Sequence, residues 1–160
     1  MKRIHAVYSH PLYQEQFSLL TAAEKDRIFC RHTMEHFLDV ARLMYLYNLE
    51  EHAGLDKELI YAAALLHDIG RYEQIAHGTP HDIASAQMAQ LILAETGFAD
   101  TEIHQIQDAI LHHRGNEATG ETLLALYLYR ADKQSRNCFC CPASLECNWP
   151  ESKKNLEIDY

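Results

Sequence analysis

Glycine and proline are scarce in this chain, whose 160 residues contain six glycines and four prolines, mostly at segment boundaries. Alternating strand patterns and hairpin signals are missing too, which argues against a β-sheet architecture. The longest apolar run, residues 59–66, is far too short to cross a bilayer. No apolar stretch follows Lys2 and Arg3 as it would in a secretory signal, so we expect a cytoplasmic protein that does not engage membranes.

Basic residues are also in short supply, with 14 lysines and arginines against 23 acidic residues and a net charge of −9. Such a charge argues against nonspecific binding to nucleic acid or anionic membranes. A phosphorylated small molecule stays open as a partner, provided that a local basic site or a metal supplies positive charge. The length and an apolar content of 48% fit one domain with a substantial core.

The periodicity of apolar residues predicts an all-α, single-domain helical bundle followed by a cysteine-rich C-terminal segment. We divide the chain into N-terminal helices at 1–29, a metal-binding helical domain at 30–136, and the cysteine-rich segment with a loosely held tail at 137–160. Thr21 and Glu24 have the spacing of a capping box, which predicts a helix start there. Further helices are predicted at about 32–52, 56–68, 81–96, 100–113 and 121–135.

The pair His67 and Asp68 ends an apolar, helix-like run and is followed at once by Ile69 and Gly70. A helix that buries Leu65 and Leu66 delivers the imidazole and the carboxylate to the interior. Buried polar groups of this kind need partners, and a metal ion is a suitable one. A metal site is therefore the leading hypothesis for this chain.

Other candidate ligands also point inward. His36 shares a helical stripe with Val40, Leu43 and Tyr47, and His113 shares one with Ile103, Ile106 and Ile110. Asp132 lies on the face of Ala125 and Leu128, and His81 stands at a helix start. A single inward histidine is more often an ordinary core residue than a ligand, so the joint set carries the hypothesis. Six nitrogen and oxygen ligands without thiolates suit one or two divalent ions of iron, manganese or zinc. These ligands are His36, His67, Asp68, His81, His113 and Asp132.

The motifs resemble those of the HD-domain superfamily of metal-dependent phosphohydrolases. The matching residues are His36 with Val40-Ala41 following, the run 67–70, and Ala131-Asp132-Lys133, in the family's order. The resemblance covers residues 30–136 and implies an HD-type helical bundle that binds a divalent metal.

Two further segments resemble the dinuclear branch of bacterial dinucleoside-tetraphosphate hydrolases. His81 precedes Ser85-Ala86, where Ser85 replaces the branch's glycine, and 108–113 resembles its Asp-Ala-Ile-x-x-His segment. The resemblance implies that Asp68 bridges two ions. One ion would then be completed by His36, His67 and Asp132, and the other by His81 and His113.

The implied activity is hydrolysis of a phosphate ester or anhydride of a nucleotide or related small molecule through a metal-activated water. Arg71 and Lys133 lie beside ligands and are expected to hold phosphate oxygens, with surface salt bridges as the alternative. His112 lies on the side of Asp108 and is expected beside the ligands rather than as one. Two other functions remain open, a di-iron oxygenase of the same superfamily and a nonenzymatic ligand-sensing domain; a homodimer is an open option too.

Four of the five cysteines crowd into ten residues after the last predicted core helix, and without a secretory signal we expect no disulfides. Cys138 and Cys141 have zinc-knuckle spacing, Cys147 follows six residues later, and Cys30 offers a fourth ligand. These residues predict a structural zinc site that pins the tail to the domain. An iron–sulfur cluster and reduced thiols packed under Phe139 and Trp149 are the alternatives.

Overall fold

The computed structural model describes residues 1–114 and 120–160. Within these residues the chain is helical and has no strand, which confirms the predicted all-α class. Two short 3-10 helices, at Cys138–Cys140 and Glu151–Lys153, belong to the C-terminal segment. The eight α-helices are α1 (Lys2–Ser9), α2 (Pro11–Ala23), α3 (Met34–Glu50), α4 (Lys57–Leu66), α5 (Arg71–His77), α6 (His81–Glu95), α7 (Asp100–Leu111) and α8 (Leu123–Gln134).

Four helices form a closed ring at the centre of the molecule. Helix α3 packs on α4, α4 on α7, α7 on α8, and α8 back on α3. Helix α6 covers α7, and α5 packs beneath α6. The ring encloses wholly buried side chains that include Phe37, Met44, Leu66, Ile106 and Leu128. Burying several large apolar side chains, at roughly 1.5–3 kcal/mol each, is what holds these short helices together.

The N-terminal helices belong to the same core as the rest of the domain. Helix α1 packs on α4, and α2 packs on α5 and α6. Val7, Tyr13 and Leu20 are fully buried in the common apolar cluster. Segment 1–29 is therefore joined to the bundle by its packing.

The predicted helix start at Thr21 is wrong, because these residues form the last turn of α2. The Thr21 hydroxyl donates back to the carbonyl of Phe17 instead of capping a new helix. Glu24 is the C-cap residue of α2, and its buried carboxylate accepts hydrogen bonds from His32. Because Glu24 pairs with His32 in the folded protein, it does not form the capping box that the spacing indicated.

The helices that carry the candidate ligands begin with side-chain caps. The Thr33 hydroxyl accepts from the backbone N–H of His36, and Asp56 accepts from Glu58 and Leu59. Before α4, Asn48 holds the turn through paired hydrogen bonds with the backbone of Leu55. These caps determine where α3 and α4 begin, and they thereby fix the positions of the side chains of both helices along the helix axis.

The C-terminal tail is better held than the sequence predicts. The Asn155 amide donates to the carbonyls of Lys133 and Arg136, which closes the end of α8. Tyr160 packs edge-on against Tyr47 with ring centroids 5.2 Å apart. Among the residues that the structure describes, no helix combines the length and apolarity that crossing a membrane requires.

Candidate metal centre

Six buried His and Asp side chains converge from five parts of the bundle. His36 lies in the first turn of α3, and His67 and Asp68 follow the end of α4. The remaining three lie at the start of α6, just beyond α7 and on the inner face of α8; they are His81, His113 and Asp132. Because these helices share one core, residues far apart in sequence meet there. The six predicted ligands thus lie together in the structure.

The first group of potential ligands consists of His36, His67, Asp68 and Asp132. One ligand atom from each lies within 4.8 Å of all the others. Asp132 Oδ1 is 3.5 Å from His36 Nε2 and 3.7 Å from His67 Nε2. Asp68 Oδ2 is 3.5 Å from His67 Nε2. Two imidazoles and two carboxylates therefore surround one point.

The second group consists of Asp68, His81 and His113, which satisfy the same 4.8 Å limit. Asp68 Oδ1 is 3.1 Å from His81 Nε2 and 3.5 Å from His113 Nε2. The two Nε2 atoms are 3.3 Å apart. The Asp68 carboxylate thus turns Oδ2 toward the first group and Oδ1 toward the second.

All four histidines present Nε2 to the centre because Nδ1 has a partner elsewhere. When Nδ1–H donates to such an acceptor, the Nε2 lone pair stays free for a metal, as is usual for ligating histidines. The Ser135 hydroxyl can accept because its own proton goes to the Asp132 carbonyl. The Nδ1 partners are Ser135 Oγ for His36, the Ala64 carbonyl for His67 and the Ile110 carbonyl for His113. His81 Nδ1 lies near both the acceptor Gln74 Oε1 and the donor Arg71 Nη1, and the donor Arg136 Nη2 lies 3.2 Å from His36 Nε2.

Two atoms at the middle of the centre are buried and lack a hydrogen-bond partner, namely His67 Nε2 and Asp68 Oδ1. Leaving buried polar atoms unsatisfied costs about 1–3 kcal/mol each. A divalent ion in each group would satisfy them. The donor set of imidazole nitrogens and carboxylate oxygens fits iron, manganese or zinc.

The electrostatic surroundings favour the protonation states that a metal needs at His36, His81 and Asp68. At His67, burial lowers the pKa of the imidazole, but the Asp68 and Asp132 carboxylates outweigh burial and raise it. Burial, helped by Arg136, lowers the pKa of His36 to about 2, and burial, helped by Arg71, lowers that of His81 to about 3. Burial alone would raise the pKa of Asp68, but the neighbouring imidazoles of His67 and His32 hold it well below its usual value. Neutral imidazoles and ionised carboxylates are the forms that ligate.

Gly70 lets α6 approach the turn that carries Asp68. A Cβ on Gly70 would lie 2.5 Å from the backbone nitrogen of Ser85 and 2.7 Å from the Ala84 Cβ. The Gly70 N–H instead donates to Ser85 Oγ at 2.9 Å. Ser85, which departs from the glycine of the dinuclear branch, therefore ties the Asp68 turn to the helix that begins with His81.

His32 and Glu24 support Asp68 from behind, although the sequence pattern predicted Glu24 only as a helix-capping residue. His32 Nε2 lies 3.2 Å from Asp68 Oδ2, and His32 Nδ1 lies 2.7 Å from Glu24 Oε1. Glu24 Oε2 also accepts the backbone N–H of His32. The spacing of His32 one turn before His36 was the available signal, but it did not identify Glu24 as a partner.

The predicted phosphate-binding residues have different surroundings. Arg71 lies against the His81 ring, with Nη1 2.8 Å from Nδ1. Lys133 donates to Asp132 Oδ2 at 2.7 Å, so it neutralises a candidate ligand. Arg136, which sequence reasoning missed, lies 3.2 Å from His36 Nε2 and 3.3 Å from Asp132 Oδ1. Its position four residues after Asp132 was a signal that could have identified it.

His112 has no described contact with the candidate ligands. Its Nδ1 lies 2.8 Å from the carbonyl and 3.1 Å from the carboxylate of Asp108, and its side chain is 38% exposed. The end of α7 turns His113 inward and leaves His112 on the outer side. No described contact therefore supports the expectation that His112 orients the ligands.

A cavity of about 680 Å³ joins the centre to the C-terminal segment. Its wall includes His36, which is one of the candidate ligands, together with His32, Arg71 and the cysteines. Among the residues that the structure describes, two carboxylates, Glu35 and Asp39, lie on the wall. Five cations line it, namely Arg27, Arg31, Arg71, Arg136 and Lys154. The cavity is therefore locally basic in a protein with a net charge of −9.

The cysteines predicted to bind a structural metal line this cavity but are not gathered around one point. Cys30, Cys138, Cys141 and Cys147 all contribute to the wall. None belongs to a group of three or more potential ligands whose atoms lie within 4.8 Å of one another. The structure describes all five thiols as free, so the predicted absence of disulfides agrees with it.

Comparisons of the sequence and of the structure with known proteins indicate the same family. The model of the HD domain matches residues 33–137. An uncharacterized protein of Clostridium beijerinckii is 47% identical over 137 residues, which cover 86% of this chain and 85% of the relative. The crystal structure of a predicted HD superfamily hydrolase from an uncultured Thermotogales bacterium matches with a TM-score of 0.65 at 25% identity, over 89% of this chain and 81% of the other. The family match covers well over half of the sequence, so the chain belongs to the HD-domain family.

Proposed function

We propose that this protein is a dinuclear metal-dependent phosphohydrolase that acts on a phosphate ester or anhydride of a nucleotide or related small molecule. The observation that carries the proposal is the Asp68 carboxylate, whose two oxygens face two different groups of histidine ligands. His36, His67 and Asp132 would complete one ion site, and His81 and His113 the other. Divalent ions held there would lower the pKa of a water ligand and neutralise charge on a phosphoryl oxygen.

The cations around the cavity support an anionic substrate. Arg71 and Arg136 line the cavity and lie beside His81 and His36, where a phosphoryl group bound at the centre would meet them. A guanidinium can hold two phosphate oxygens at once, which fixes the orientation of the group as well as its charge. Lys133 is absent from the cavity wall and donates to Asp132 and to the carbonyl of His113. We therefore assign phosphate recognition to Arg71 and Arg136, and ligand support to Lys133.

The size of the cavity supports a substrate larger than inorganic phosphate. A volume of about 680 Å³ lies in the range of pockets that enclose small organic ligands. Phe29 and Trp149 on its wall provide apolar surface for the remainder of the molecule. The resemblance to dinucleoside-tetraphosphate hydrolases makes dinucleoside polyphosphates the first compounds to assay, followed by mononucleotides.

The experiment that tests the proposal combines metal counting with hydrolysis. Protein purified without a metal-affinity tag should contain about two ions outside the cysteine segment, and the count should fall toward one in His113→Ala. Phosphate release from the substrate panel should depend on these ions and proceed equally in air and without oxygen. Turnover that requires oxygen would favour the oxygenase instead, and tight ligand binding without turnover would favour a sensing domain.

A further inference from the structure

All five cysteines of the chain lie on the wall of one cavity, although they come from two distant segments. Cys30 belongs to the connection between α2 and α3, and the other four follow α8. Four of these thiols lie within ten consecutive residues, so the informative observation is that the fold brings Cys30 to the same cavity. Because each thiol is free, the structure offers them as ligands rather than as disulfide partners.

The C-terminal turn and the exposure of its cysteines distinguish Cys140 from the four candidate ligands. The N–H of Cys141 donates to the carbonyl of Cys138, so one tight turn carries both members of the two-residue spacing. Cys138, Cys141 and Cys147 are partly buried, as is Cys30 across the cavity. Cys140 is exposed, and its sulfur lies 3.6 Å from the Asn137 carbonyl. Four partly buried cysteines thus share one environment, and Cys140 is the more exposed cysteine on the same wall.

The charges around the cavity suit a group of thiolates. A zinc ion with four thiolates carries a net charge of about −2. Arg136, Arg27 and Arg31 lie on the same wall and would offset that charge. Burial raises the pKa of the Cys30 thiol, Arg136 opposes this shift, and the nearby Cys141 and Cys138 thiols add to it. The Cys30 thiol therefore stays protonated until an ion displaces its proton.

We propose that Cys30, Cys138, Cys141 and Cys147 bind one zinc-type ion that is separate from the His/Asp centre. No three of these sulfurs lie within 4.8 Å of one another in the structure, so binding must draw them together. The segment that would move consists of turns and a single 3-10 turn with few backbone hydrogen bonds. Coupling of this kind between folding and metal binding is typical of small cysteine sites.

The proposed site would also order one wall of the cavity that leads to the His/Asp centre. Cys30 lies two residues before His32, whose ring contacts Asp68. An ion that joins Cys30 to the segment after α8 would hold this connection and the C-terminal turn together. The inference does not depend on which reaction the His/Asp centre catalyses.

Cobalt substitution tests the site with a readout independent of activity. Tetrahedral thiolate–cobalt centres have intense charge-transfer absorption, which nitrogen and oxygen ligands do not produce. The wild-type protein, stripped of metal and titrated with Co²⁺ without oxygen, should show this absorption at one equivalent per chain. Cys30→Ser and Cys141→Ser should each lose most of it, whereas Cys140→Ser should retain it as the matched control.

A second pair of measurements separates loss of the site from loss of the fold. Cys141→Ser should retain its helical circular dichroism and its metal at the His/Asp centre, and His113→Ala should retain the thiolate absorption. Absence of the thiolate signal in the wild type, or its survival in Cys30→Ser and Cys141→Ser, would overturn the proposal. The absorption of an iron–sulfur cluster in protein purified without oxygen would overturn it as well.

Thiol counting provides a further check. In native protein purified with zinc, one thiol, that of Cys140, should react quickly with a thiol reagent and the other four slowly. A chelator that removes zinc should make all five reactive. Fast reaction of all five thiols in the zinc-containing protein, before any chelator is added, would contradict the site.

Discussion

The His/Asp centre and the cysteine segment both have enough ligands for metal binding, but only the first has them already in place. The centre is formed by helix ends packed around one core, and each of its four histidines has an Nδ1 contact to an acceptor. The segment after α8 consists of turns, and its sulfurs share a cavity although no three of them lie within 4.8 Å of one another. Burial of apolar side chains therefore stabilises the assembled His/Asp centre, whereas the cysteine site would form only when its ion binds.

The largest expected effect is the loss of the carboxylate shared by the two ligand groups. Asp68→Ala should remove both ions from the His/Asp centre and lower kcat/KM for any phosphate substrate by about a thousandfold or more, since metal ions supply several kcal/mol of transition-state stabilisation. Metal analysis and hydrolysis assays measure this. Asp108→Ala, which removes an exposed aspartate paired with His112, is the control. Full activity in Asp68→Ala would refute the dinuclear scheme.

The next effect concerns the support of Asp68 by the buried Glu24–His32 pair. Glu24→Gln keeps the shape of the side chain but weakens the hold on His32, and we expect metal affinity to fall about 10–100-fold, as for other residues that orient ligands. Competition with a chelator of known affinity measures the change. Glu58→Gln, at a partly buried pair with Arg3 away from the centre, should leave it unaltered. Equal affinities in the two variants would show that His32 needs no such support.

Gly70→Ala tests whether the packed helices preorganise the centre without an ion. The added methyl would meet the Ser85 backbone, and overpacking of this kind costs about 1–3 kcal/mol. Thermal unfolding of the metal-free protein should show a lower Tm than for the wild type. Ser85→Ala, which removes only the hydrogen bond to Gly70, should cost about 1 kcal/mol. An unchanged Tm for Gly70→Ala would mean that α6 can shift to accommodate the added methyl group, so the close packing at this turn would not preorganise the centre.

The smallest effect is expected in the cysteine segment. In metal-free protein, Cys141→Ser should change the free energy of unfolding by no more than about 0.5 kcal/mol, because a partly exposed turn outside the main core contributes little by itself. Denaturant titration with and without zinc measures this. Zinc should stabilise the wild type more than the variant. A large difference between them without zinc would mean that the segment is already well packed, contrary to the comparison above.

The burial of the candidate ligands could be predicted because periodicity reveals the inward face of a helix. His36 and Asp132 were recognisable from apolar neighbours on their own helices, and both are buried. His112 and His113 were correctly distinguished by face, since only His113 turns into the core. Such reasoning uses only residues within one helix, where geometry is fixed at 3.6 residues per turn.

Residues that act across helices escaped prediction. Glu24 had the spacing of a helix cap, yet it pairs with His32, and Arg136 had no signal beyond its distance from Asp132. The role of Ser85 required knowledge that α6 lies against Gly70. The short helix α5, at Arg71–His77, also went unpredicted, because its seven residues bury no side chain completely.

The sequence by itself determined the helical class, the single core and the identity of the candidate ligands, because these depend on local periodicity and on the chemistry of side chains. The resemblance already implied that Asp68 stands between two groups of ligands, whereas the tertiary structure alone decided that Glu24 and His32 support it and that the cysteines share one cavity with His36. Contacts between distant segments depend on how apolar faces pack in three dimensions, and no spacing along one chain encodes them directly.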